Sequence, residues 1–122
     1  MISEEKQSAL HTKKCVPCSG SEDPLTQEEI EVYLPQVPEW ELLHEPDRIV
    51  RTIKTKNFMD AVALIQEIAQ LAEEEGHHPN VAIKNYNQLT IELFTHKISG
   101  LHVNDFILAT KIDQVLKPAT IE

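Results

Sequence analysis

The chain reads as a two-layer α+β domain, a four-stranded antiparallel sheet with its helices packed on one face. Three observations predict it. Local signals run in the order helix, strand, strand, helix, strand, strand, helix. Neighbouring strands are joined by short polar turns, which makes antiparallel hairpins. And 122 residues fit one such domain and leave little room for two. The expected division is an N-terminal arm over residues 1–24 and a single domain over residues 25–122.

The arm is charged and polar without a hydrophobic period, so it reads as extended and partly ordered against the domain. It carries Cys15-Val16-Pro17-Cys18, and Cys15 and Cys18 are the chain's only two cysteines. The pair could be half of a zinc site, but a full site usually takes four ligands and no second cysteine pair exists. A redox pair wants a helix directly after the first cysteine, which Pro17 and Gly20 do not suggest. A structural or neutral role is the expectation.

The domain opens at Leu25-Thr26-Gln27-Glu28-Glu29-Ile30. Thr26 and Glu29 have the spacing of a capping box, and Leu25 and Ile30 that of a hydrophobic staple. Pro35 and Pro38 end this helix early. Residues 39–44 follow as a strand with Trp40 and Leu42 on one face. Glu45-Pro46-Asp47 is a turn. The strand over residues 48–54 is rich in β-branched residues and sets Ile49, Arg51 and Ile53 on one face.

Residues 57–75 form the long helix. Phe58, Ala61, Val62, Ile65, Ile68, Ala69 and Ala72 recur at three- and four-residue steps, and Leu64 and Leu71 widen the stripe. Gly76 is placed to stop it in the left-handed conformation. Val81 and Ile83 mark a short third strand, and Asn85-Tyr86-Asn87 supplies turn chemistry. The clearest strand runs over residues 88–95, with Leu89, Ile91 and Leu93 on one face. A last helix runs from about His102 or Val103 to Leu116, carries Phe106, Ala109, Ile112 and Leu116 as its stripe, and stops at Pro118. One face of the sheet stays open, which makes a homo-oligomer the expectation.

Charge narrows the function. Eleven basic against twenty acidic side chains give a net charge of -9, which argues against nucleic acid and against an anionic membrane as partners. No apolar run is long enough to cross a bilayer, and residues 1–12 lack the apolar middle of a secretory signal. A soluble, cytoplasmic protein is expected.

The chemistry concentrates at Glu73-Glu74-Glu75-Gly76-His77-His78-Pro79, with His96 and Asp105 further on. Two histidines just past a helix end make a poor core and are well placed to face a cleft. Pro79 holds His78 in extended backbone, so the two imidazoles leave the chain in different directions. His96 follows the end of the last strand. Imidazoles that titrate near neutrality hold, give and take protons without a metal. Glu73 lies one helical turn before His77, spaced to orient it or raise its pKa. Asp105 sits in the first turn of the last helix, where a carboxylate suits the dipole. Two plainer readings stay open: an exposed polar loop, or a zinc site built from histidines and a carboxylate. His44 and His11 read as surface.

Glu73-x-x-x-His77-His78-Pro79, an aromatic at Tyr86, Thr95-His96 and Gly100-Leu101 followed by Asp105 together resemble the pterin-4a-carbinolamine dehydratase family. The likeness covers residues 25–117, and Trp40 falls where the family tends to carry a tryptophan. The resemblance implies dehydration of a 4a-hydroxytetrahydropterin to the quinonoid dihydropterin, recycling the cofactor of aromatic amino acid hydroxylases. It implies no metal or organic cofactor. It implies His77, His78 and His96 as catalytic residues, with His77 and His96 moving protons and His78 holding the pterin or stabilising charge. Glu73, Pro79, Thr95 and Asp105 would bind substrate or orient these, Glu73 by tuning a histidine and Asp105 by orienting His96 or contacting the pterin edge. Homodimers or homotetramers are implied as well. His102 departs from the Ser or Thr common at that cap, so a weaker start to the last helix is expected. Beside the enzyme stand two other readings: a binding or assembly module on the same fold, and a metal-binding protein using Cys15, Cys18 and histidines.

Overall fold

The computed structural model describes residues 10–17 and 19–117, for His11 the backbone alone. Expectations placed on Cys18, Pro118, residues 1–9 and the His11 side chain lie outside the described residues. Helix α1 spans Gln27–Tyr33, strand β1 Glu41–Leu43, strand β2 Arg48–Lys54 and helix α2 Phe58–Glu75. Strand β3 spans Asn80–Lys84, strand β4 Gln88–Leu93 and helix α3 Val103–Leu116. The order is the one the sequence predicts, and the fold is α+β. No helix among the described residues is long and apolar enough to cross a membrane.

The four strands form one antiparallel sheet in the order β1-β2-β4-β3. The register sets Ile49 opposite Leu93, Arg51 opposite Ile91 and Ile53 opposite Leu89. Cross-strand pairs of this kind stabilise the ladder through side-chain packing. Ile49, Leu89, Ile91 and Leu93 are fully buried and join Ile68, Phe106, Leu108 and Ile112 of the helices in one core. β3 is an edge strand, with Val81 exposed.

Local chemistry explains the ends. Thr26 Oγ1 accepts from the Glu29 N–H at 3.2 Å, and Glu29 Oε1 accepts from the Thr26 N–H at 2.9 Å, closing the capping box of α1. Asn57 caps α2 by accepting from the Asp60 N–H at 2.8 Å. Gly76 ends α2 at φ 67°, left-handed backbone that glycine enters without a Cβ penalty.

The first strand is shorter than expected and Trp40 lies just before it. The Trp40 N–H donates to Val37 O at 3.0 Å, so it is not available to the ladder. Its buried indole instead donates from Nε1 to Asp113 Oδ1 at 2.7 Å, and Arg51 reaches the same oxygen at 2.6 Å. These bonds tie β1 and β2 to α3.

The stripe of α2 is also rotated from the expected one. Ala61, Leu64, Ile68 and Ala72 are its buried residues, whereas Phe58 and Ala69 are exposed. Leu64 is therefore central. α3 is buried almost all round from Asn104 to Ala109, more than a single stripe predicts. It packs against α2 and against a 3-10 turn of the arm, Leu10–Thr12, whose Leu10 is fully buried. The arm thus covers a side of α3 that the domain alone would leave wet.

Candidate active site

Two chain reversals bring the histidines together. The left-handed turn at Gly76 lets the His77 N–H reach back to Ala72 O at 3.2 Å and sets His77 at the end of α2. Beyond β4, Thr95 and Gly100 pair across a tight loop, with the Thr95 N–H donating to Gly100 O at 2.8 Å. A Cβ on Gly100 would lie 2.8 Å from the Pro24 Cβ, so only glycine admits that approach. This loop places His96 at the start of a 3-10 turn, His96–Ile98.

His77, His78 and His96 line one cleft of about 260 Å³, with Phe94, Thr95 and Lys97 among its other walls. That volume is just under the range usual for small-molecule sites. The three imidazoles differ in their support. His77 is largely buried, and its Nε2 donates to Asp105 Oδ1 at 2.6 Å. Asp105 is fully buried; its Oδ2 accepts from Thr95 Oγ1 at 2.9 Å and from the His102 N–H at 2.9 Å. With Asp105 Oδ1 as the acceptor, the proton of a neutral His77 sits on Nε2, which leaves Nδ1 as the basic nitrogen. His78 is exposed and pairs through Nε2 with Glu73, also exposed. His96 lies against Phe94, with ring centroids 4.2 Å apart.

Several expectations are corrected here. Asp105 orients His77, not His96, because the first turn of α3 packs against the end of α2. Glu73 pairs with His78 and not His77, because the turn at Gly76 swings His77 inward. Thr95 lines the cleft, but Pro79 does not. It lines an adjoining apolar groove with Ile65, Ala69 and Val81, which shares His78 with the cleft. Tyr86 is exposed at φ 59° in the turn between β3 and β4, away from the histidines. The cap at His102 is also not weak. His102 Nδ1 accepts from the Asn104 N–H at 3.0 Å, and with Asp105 it closes a capping box around an imidazole. His44 is exposed, as expected, and pairs with Asp47 at 2.6 Å. Among the described residues no three His, Cys, Asp or Glu side chains are grouped so as to hold a metal ion.

Other cleft residues escaped the sequence reading. Phe94 was within reach, because strand alternation puts it on the face away from Leu93, next to His96. Val16 and Asn104 also line the cleft. They meet only through the packing of the arm on α3, for which sequence spacing carries no signal. The acid run at the end of α2 divides its tasks as well. Glu75 turns inward to accept from Lys111 Nζ at 2.7 Å and from the Cys15 N–H at 2.9 Å. Burial works against the Glu75 charge, but these bonds outweigh it and hold the carboxyl below its usual range. The buried Cys15 thiol is pushed up to about 12, by burial first and then by the Glu75 charge.

Comparison with known proteins bears on this geometry. A protein from Methylococcus capsulatus, provisionally named a pterin-4-alpha-carbinolamine dehydratase, is 43% identical over 111 residues, covering 91% of this chain and 96% of its own. One from Halorhodospira halophila, with the same provisional name, is 43% identical over 105 residues, covering 86% of this chain and 95% of its own. A crystal structure described as a transcriptional coactivator/pterin dehydratase from Brucella melitensis superposes with a TM-score of 0.69 at 28% identity, covering 76% of this chain and 98% of that one. A pterin dehydratase-like protein described as a RuBisCO assembly factor in the α-carboxysome shares the fold alone, at a TM-score of 0.54 and 19% identity over 63% of this chain and 88% of that one. The sequence model of the family described as Pterin 4 alpha carbinolamine dehydratase matches residues 23–115, and the chain belongs to that family.

Proposed function

We propose that this protein is a 4a-hydroxytetrahydropterin dehydratase that works by histidine acid/base catalysis. The observation that carries the reading is the meeting of His77, His78 and His96 at one cleft, with His77 held by the buried Asp105. The reaction needs two proton movements. The 4a-hydroxyl must gain a proton to leave as water, and a ring N–H must lose one as the C4a–O bond breaks. The products are the quinonoid dihydropterin and water, and no net proton is consumed.

His77 suits the base. The Asp105 carboxylate holds Nε2–H, orients the ring and stabilises the imidazolium that forms when Nδ1 takes the ring N–H proton. His96 suits the acid at the 4a-oxygen, and His78, with Glu73 beside it, holds the pterin. Thr95 and Asp105 orient the set. No metal or organic cofactor takes part. The reading extends to recycling the reduced pterin of aromatic amino acid hydroxylases in the cytoplasm. It also includes a homodimer or homotetramer, which the unpaired β3 edge and the exposed Val81 would suit.

The test is a stopped-flow absorbance assay on chemically generated 4a-hydroxytetrahydropterin, with chelator present. A rate far above the spontaneous one supports the reading. A rate equal to background overturns it and leaves the fold as a binding or assembly module.

A further inference from the structure

Three consecutive arm residues, Lys14, Cys15 and Val16, are each bonded to a helix end that supports the cleft. Lys14 Nζ donates to Glu74 O at 3.0 Å, placing a cation on the carbonyl end of α2. The Cys15 N–H donates to Glu75 Oε1 at 2.9 Å, on the same turn. The Val16 N–H donates to Asn104 Oδ1 at 2.9 Å, and Asn104 Nδ2 donates back to Val16 O at 2.6 Å. One side-chain amide thus satisfies both backbone groups of one residue, as a strand partner would. Asn104 is buried, so these bonds are costly to leave unmade. It is also the residue before Asp105, so a single helical turn carries both the arm's clamp and the anchor of His77.

The backbone of Val16 is pinned, yet the residue is 54% exposed and lines the cleft beside the histidines. Nothing in the core requires a valine there. Of the cleft's lining, Val16 and Phe94 are the large apolar side chains, and a flat heterocycle packs its ring faces on such contacts.

We propose that the N-terminal arm is a wall of the substrate cleft: Asn104 and Glu75 clamp Cys15 and Val16 in place, and Val16 contacts the bound pterin and sets how tightly it is held. The inference rests on the proposed dehydratase reading for its substrate class. Asn104 acts through the arm as a positioning residue. Val16 contributes binding that is equal in ground and transition state, so its loss moves KM and leaves kcat in place. An arm that only braces the fold predicts lower stability and an unchanged KM.

The test pairs kinetics with a thiol probe in the full chain, with Cys18 replaced by serine so that Cys15 alone reports. Val16→Ala, at an exposed side chain, should raise KM for the 4a-hydroxypterin roughly fivefold or more, with kcat within about twofold. Alkylation of Cys15, slow in the docked arm, should slow further with a saturating stable 7,8-dihydropterin and accelerate in Asn104→Ala. Turnover with parental KM in Val16→Ala, and Cys15 labelling indifferent to the dihydropterin, would overturn the wall and leave the dehydratase standing. Absence of turnover with protection of Cys15 would overturn the dehydratase and support the wall as part of a pterin site. Absence of both would overturn both.

Discussion

Asp105 and His77 form the best-supported pair in the cleft: Oδ1 takes the imidazole at 2.6 Å, while Oδ2 takes the Thr95 hydroxyl and the His102 N–H. The carboxylate therefore fixes a histidine, the start of α3 and the end of the β4 segment at once. Asp105→Asn leaves one oxygen for three donors and turns an NH2 toward at least one of them. The expected outcome is a loss of about 10²-fold or more in kcat and about 1–3 kcal/mol of stability. Kinetics beside urea unfolding separates the two.

The other carboxylate–histidine pair is exposed on both sides, at 62% for His78 and 74% for Glu73. Water screens it, and such pairs contribute little. Glu73→Gln should change kcat/KM by less than about fivefold, an effect of about 0–1 kcal/mol. A loss comparable to that of Asp105→Asn would show that Glu73 matters to catalysis as much as Asp105 and contradict the screened reading of this pair.

Leu10 lies wholly buried against the core although it stands in the arm. Leu10→Ala should cost about 2–5 kcal/mol, the range for deleting a buried leucine side chain. An unchanged urea midpoint would mean that the arm is not docked in solution.

Acid should loosen the arm through Glu75. Its folded-state pKa lies below the ordinary 4.5, held down by Lys111 and the Cys15 N–H against the cost of burial. The stability it contributes is therefore present above 4.5 and lost as pH falls through the lower folded value. At the alkaline end the sign reverses for Cys15, whose contribution holds below 9.0 and is lost as pH rises toward about 12. Unfolding of the parent and Glu75→Gln between neutral and acid pH should converge as the acid limit is approached. A constant gap would exclude Glu75 as the source.

Much of the fold is legible in the sequence. The capping box at Thr26, the stop of α1 before Pro35, the left-handed Gly76 and the alternation of Leu89, Ile91 and Leu93 are local features, and each stands where expected. The meeting of His77, His78 and His96 at one cleft was legible too, because adjacent histidines past a helix end have no place in a core. Their carboxylate partners were not. Asp105 is 28 residues from His77, and helix packing alone decides which imidazole it meets. Glu73 misled for a related reason: helical spacing points it at His77, but the chain stops being helical at Gly76. The arm was the least legible part, since its order rests on Asn104 and Glu75 and not on any period of its own.

The most direct measurement is stopped-flow decay of 4a-hydroxytetrahydropterin with parent protein and with the double variant His77→Gln/His96→Gln, both checked for folding by circular dichroism. The parent should far outpace the spontaneous reaction, and the folded double variant should return to background. A parent at background, or a double variant as fast as the parent, would contradict histidine acid/base catalysis.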